Sequence, residues 1–167
     1  VGACTTAESA GQADPYWLRS WNEAQTTRPA TMASHSRIAG PAEPGVPLVL
    51  SGQVFQPDGR APAPDVVVHA YHRDAQGFDF GPGDNTFTTW RLQGWAKTDA
   101  EGRFEFRTIR PAPDHLGREG PHIHITLESP RSGRQWAPTV YLTDNVQTIG
   151  NVQHVTTRIR LKSKGEF

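Results

Sequence analysis

Apolar side chains recur along this chain with a period of two far more often than with the period of a helix. In "HIHITLES", residues 122–129, Ile123, Ile125 and Leu127 fall on one face of a strand, and His122, His124 and Thr126 on the other. "RFEFRTIR" (103–110) puts Phe104, Phe106 and Thr108 on one face, and "HVTTRIRLK" (154–162) alternates Val155, Thr157, Ile159 and Leu161. "LVLSGQVFQ" (48–56), the β-branched "DVVVHAYHR" (65–73), "LQGWAKTD" (92–99) and "APTVYLTD" (137–144) complete a set of short strands. Turns such as "PDG" and "AEG", and the breaker-rich loops 74–90 and 111–120, separate them. Seven or so short strands punctuated in this way predict an all-β fold, a β-sandwich.

One stretch breaks the rule. "DPYWLRSWNEA", residues 14–24, reads as a short helix: Asp14 caps it, Pro15 suits its first turn, and Trp17, Leu18 and Trp21 share one side. Those aromatics call for burial against the domain or against a second subunit, as in a homodimer. Residues 1–46 are expected to form an N-terminal arm carrying this helix, and residues 47–167 the sandwich. Within the arm, residues 26–46 are rich in Pro, Ser and Thr and are expected to lie irregularly against the sheet.

Gly and Pro supply 30 of the 167 residues, as turns between short strands require. Seventeen Lys and Arg balance seventeen Asp and Glu, so no basic surface argues for nucleic acid. No apolar run approaches the roughly 20 residues that cross a bilayer as a helix. A single cysteine, Cys4, excludes an internal disulfide and a cysteine-built zinc site. Its setting, "VGACTT", is similar to the end of a bacterial lipoprotein signal. That predicts an exported protein, tethered to the cell envelope through a lipidated Cys4 or secreted.

The candidate chemistry lies in "HIHI". Histidines two apart on a strand stand about 6.6 Å apart at Cα, from a rise of ~3.3 Å per residue, and can lean toward one point. Metal–nitrogen bonds of about 2.0–2.1 Å close that gap. Further candidates stand on the loops: Asp114 and His115, with Arg118 and Glu119 nearer the strand, and Asp74, Asp79 and Asp84 on the other long loop. Two imidazoles with one carboxylate and open positions describe many oxygen-activating iron sites, so iron leads, with zinc, manganese and copper behind it. Arg110 and Arg118 are the arginines that could grip an anionic substrate group, and Trp90, Trp95 and Trp136 could line an aromatic pocket. His69 and His72, on opposite faces of their strand, read as structural, hydrogen-bonded histidines.

"LSGQVFQPDGRAPAPDVVVHAYHRDAQG", "KTDAEGRFEFRTIRPAP" and "PHIHI", in this order, resemble the intradiol ring-cleavage dioxygenases, a family that includes catechol 1,2-dioxygenases and protocatechuate 3,4-dioxygenases. The resemblance runs from about residue 48 to 144. It implies a β-sandwich, a non-haem Fe(III) centre held by two tyrosines and two histidines, and cleavage of a catechol-type ring with O2. The histidines carry over to His122 and His124. The tyrosines do not: Asp79 stands two residues after the glycine of "DAQG", and Asp114 ends "TIRPAPD". Glu119 stands where the resemblance places an arginine facing the substrate, with Arg118 one step away. The resemblance thus implies a metal site of His122 and His124 with Asp114 as preferred third ligand and Asp79 as a fourth, His115 competing with Asp114, and Arg118 toward the substrate. The alternative is a non-catalytic sandwich derived from that family that binds a metal or ligand.

Overall fold

The computed structural model describes residues 13–81 and 88–167; Cys4 and Asp84 lie outside the described residues. Two sheets face each other. The first carries β1 (His35–Arg37), β5 (Arg103–Ile109), β2 (Pro47–Phe55), β10 (Val152–Arg160) and β9 (Gln147–Ile149), in that spatial order. The second carries β4 (Leu92–Lys97), β3 (Val67–His72), β6 (His122–Ser129) and β7 (Gly133–Trp136), with β8 (Val140–Tyr141) also paired to β6. This is the β-sandwich that the alternation predicts. All seven expected segments carry a strand, although only Val140 and Tyr141 of residues 137–144 pair as one.

Three strands escape the pattern. β1 ("HSR"), β7 ("GRQW") and β9 ("QTI") have little apolar alternation to announce them. They form because backbone groups at sheet edges accept partners whatever the side chains are. β1 lies parallel to β5, so a piece of the Pro-rich segment joins the sheet.

Between the sheets lie Leu48, Leu50 and Val54 of β2, Phe104 and Phe106 of β5, and Ile123, Ile125 and Leu127 of β6, all buried. Gly52 sits directly across from Phe104, and a Cβ there would run into that ring. Its glycine therefore makes room for an aromatic rather than for a turn.

The outer face of the second sheet is covered as well. Helix α1 (Pro15–Gln25) begins where Asp14 Oδ1 accepts the Tyr16 N–H at 2.9 Å, with Pro15 at its first position. Its Trp17, Leu18, Trp21 and Ala24 pack with Tyr71, Trp90, Trp95 and Phe167 of the same chain. Trp17 Nε1 donates to Tyr71 Oη at 2.6 Å, which fixes the helix against β3. This second apolar layer stops short of His122 and His124 and leaves a cavity at its edge.

Candidate active site

Alternation along β6 sends Ile123, Ile125 and Leu127 inward and His122 and His124 outward. The two imidazoles stand perpendicular, at 89°, with Nε2 atoms 3.0 Å apart. His122 Nδ1 lies 2.7 Å from the Gly120 carbonyl, which can only accept. That nitrogen therefore carries the proton, and in the neutral ring Nε2 presents a lone pair. Glu119 Oε2 lies 3.5 Å from the same Nε2. Tyr71, opposite His124 in the β3–β6 register, stacks on its ring at 5.0 Å. Burial pushes the His124 pKa down to about 4, so the ring is neutral at pH 7.

Two loops approach the pair, and their aspartates explain their shape. Asp74 Oδ1 accepts the N–H groups of Gln76 and Phe78 at 2.9 and 3.0 Å, closing the "DAQG" turn. Gly77, with φ of +90°, passes so close to the second loop that a Cβ would meet Pro113 O and stand 2.7 Å from His115 N. The His115 N–H and the Ala112 N–H donate to Gly77 O and Asp74 O, at 3.3 and 3.0 Å, and so bind the loops together. Gly77→Ala is expected to cost on the order of 3 kcal/mol, from the left-handed backbone and the clash together. A thermal melt would show Tm roughly 10 °C lower; an unchanged Tm would refute this role.

The aspartates at the two tyrosine positions lie on these tied loops. Asp79 Oδ2 pairs with Arg73 Nε at 3.4 Å, and burial raises its carboxyl pKa against the pull of that arginine. Asp114 Oδ1 accepts the Leu116 N–H at 3.1 Å, a bond that holds its carboxyl below the usual range. His115 stacks on Phe78 and turns Nδ1 toward Gly77 O at 3.2 Å. His122, Asp114 and Glu119 all act electrostatically on Asp79, so these groups share one neighbourhood. Among the described residues, no group of three or more His, Cys, Asp or Glu side chains is placed, as it stands, to hold a metal ion. Arg118 is exposed and does not line the cavity, while Arg110 donates to Gln153 Oε1 at 3.0 Å, on β10 of the other sheet.

Beside His124 opens a cavity of about 530 Å³, walled by Trp17, Tyr71, Trp90 and Trp136 and edged by Arg73 and Asp79. Trp90 and Trp136 were candidates from sequence. Trp95 instead stacks on His69 at 4.5 Å, away from this cavity. Tyr71 and Arg73 are the residues that sequence reasoning missed. Their signal was present in the parity of β3, which puts residues 67, 69, 71 and 73 on one face, but only knowledge that β3 neighbours β6 gives it meaning.

A dioxygenase family model matches residues 20–164. Two catechol 1,2-dioxygenases of Acinetobacter lwoffii are similar, one 40% identical over 107 residues and the other 30% identical over 112. These alignments cover 53% and 58% of this chain but only 34% and 40% of the relatives, so the chain spans well under half of their length. Among solved structures, the dioxygenase domain of a dioxygenase–carbohydrate-binding fusion protein from Streptomyces sp. SirexAA-E superposes with TM-score 0.63 at 25% identity. That match covers 80% of this chain and 91% of the other. Catechol 1,2-dioxygenase from Acinetobacter sp. ADP1 gives TM-score 0.63 at 17% identity, over 95% of this chain and 74% of the other, a likeness of fold alone.

Proposed function

Because the chain belongs to the intradiol ring-cleavage dioxygenase family, we propose that it is a metal-dependent dioxygenase using O2 on a catechol-type hydroxylated aromatic. One observation carries this reading: the Nε2 atoms of His122 and His124 converge to 3.0 Å. An ion about 2.1 Å from each would see them at roughly a right angle, the angle between neighbouring ligands in octahedral sites. The donor set fits a metal, since His124 is neutral and His122 donates from Nδ1 to Gly120 O, leaving Nε2 for an ion. His122 and His124 would hold the ion with an acidic oxygen from the adjoining loop residues. Iron would supply a redox centre with open coordination positions.

The chain's own side chains do the rest. Trp17, Trp90 and Trp136 enclose a flat apolar ring and keep water from it. The cavity has the volume of a small-molecule site. Asp79, steadied by Arg73, offers a carboxylate oxygen to a substrate hydroxyl on the wall beside His124.

The test has three parts: elemental analysis of the purified protein, a visible spectrum, and oxygen uptake with catechol and protocatechuate. Bound iron, no tyrosinate charge-transfer band and oxygen uptake on at least one diphenol are expected. A metal-free protein, or one that consumes no oxygen with any diphenol, would leave a non-catalytic sandwich instead.

A further inference from the structure

We propose that Glu119 is the carboxylate that completes the centre with His122 and His124, and that the site takes a divalent first-row ion, ferrous iron foremost. This rests on reading the histidine pair as a metal site. Three atoms able to ligate a cation converge there: His122 Nε2, His124 Nε2 at 3.0 Å from it, and Glu119 Oε2 at 3.5 Å from His122 Nε2. His122 Nδ1 already donates to Gly120 O, so the neutral ring has no proton left for either neighbour. Distances of 3.0 and 3.5 Å are those between neighbouring ligands on one ion with bonds of about 2.1 Å.

The competing carboxylates are engaged elsewhere. Asp79 is held by Arg73, and Asp114 by the Leu116 N–H. The Glu119 side chain is half exposed and makes no other hydrogen bond or ion pair among the described residues, so it can close on an ion. The donor charge points the same way. Two neutral imidazoles and one carboxylate carry a single negative charge, one fewer than the two phenolates that the family resemblance pairs with a trivalent ion. A less anionic donor set stabilises Fe(II) relative to Fe(III). The sequence signature is Glu119, His122 and His124 in "EGPHIH", where Glu119 replaces an arginine expected by resemblance.

Anaerobic titration with Fe(II), and with Co(II) as a visible-absorption probe, tests the assignment on the whole chain. The parent protein is expected to bind one equivalent. Glu119→Gln should weaken both ions by at least about 10-fold and alter the Co(II) absorption, since even residues behind the ligands cost about that much. Asp79→Asn and Asp114→Asn should titrate like the parent, and melts should show all three variants folded. If Glu119→Gln binds like the parent while His122→Ala and His124→Ala lose the ion, Glu119 is overturned and the histidine site stands. If Asp79→Asn or Asp114→Asn loses the ion instead, Glu119 is likewise overturned. If the parent binds neither ion, the metal reading itself falls with it.

Discussion

His124→Ala is expected to leave the protein without metal and without oxygen uptake on any diphenol, while the sandwich stays folded. His124 is the better of the two histidines to remove. His122 is buried and bonded to Gly120, so its loss would also loosen the strand entry. His124 borders an existing cavity and contributes a ring stacked on Tyr71, which keeps its Trp17 bond and its stacking on Trp90 at 3.8 Å. The variant therefore enlarges a hole that is already open rather than making a sealed one, and its fold should survive.

Metal affinity responds quite differently. One imidazole and a half-exposed carboxylate are a poor site, and removing a ligand costs more than removing the residues behind it, so affinity should fall at least about 100-fold. Elemental analysis after dialysis reads this directly, with circular dichroism reporting the fold. Retention of a full equivalent of metal by folded His124→Ala would sink the site, because no other pair of imidazole nitrogens among the described residues converges as this one does.

The strands that build the core were legible because burial on one face writes a period of two into the sequence. Strands whose role is edge pairing, β1, β7 and β9, leave no such mark, since their stability lies in backbone bonds that every residue can make. The site divided along the same line. His122 and His124 announce themselves because both donors sit on one strand, where spacing alone fixes their geometry. The acidic partners sit on loops, and loop geometry is written in pairings far apart in sequence. Nothing local to "DAQGFDF" says that Asp79 meets Arg73, or that Gly77 must let the 111–120 loop pass. Glu119 was visible as one of several loop candidates before the strand and as a departure from the expected arginine. Its nearness to His122 depends on how the loop turns at Gly117, φ +71°, and enters the strand. The aromatic wall was half legible: Trp90 and Trp136 could be listed, but Tyr71 belongs to the wall only because β3 lies beside β6.

Stability is expected to fall steeply between pH 6.5 and 4.5, at about 2.7 kcal/mol per pH unit, through two histidines outside the metal pair. His69 and His72 both have ordinary pKa values of 6.5 lowered to about 4, chiefly by burial. The folded rings thus stay neutral at a pH where the unfolded chain takes up a proton at each. Above pH 6.5 neither state gains a proton and stability is flat. Below it the unfolded state is favoured, until the folded rings themselves titrate near pH 4.

The geometry agrees with this sign. The Gln93 amide donates to Trp90 O at 2.8 Å, which turns its oxygen to accept from His69 Nε2 at 2.9 Å. His69 Nδ1 is left buried and unpaired, with Arg28 contributing repulsion; a second proton there would meet no acceptor. His72 donates from Nδ1 to Arg73 O and meets Thr108 Oγ1 at Nε2, each at 2.6 Å, between the sheets. The bond to Arg73 O, Asp74 and Glu43 favour its charged form, but burial, aided by Arg91, outweighs all three.

Two protons over two pH units amount to about 5 kcal/mol, the size of a small domain's whole stability. The carboxylates of Glu43 and Glu128, held low by Arg91 and Arg28, lose their contribution only below the ordinary glutamate value of 4.5, so the upper window belongs to histidine. His124 joins the slope wherever no cation occupies the pair, which chemical denaturation in the presence and absence of metal would separate. Denaturation curves of His69→Gln/His72→Gln against the parent decide the matter. The double variant should be less stable at pH 8, yet its slope between pH 6.5 and 4.5 should be shallower by about 2.7 kcal/mol per unit. An unaltered slope would mean that the acid sensitivity arises elsewhere.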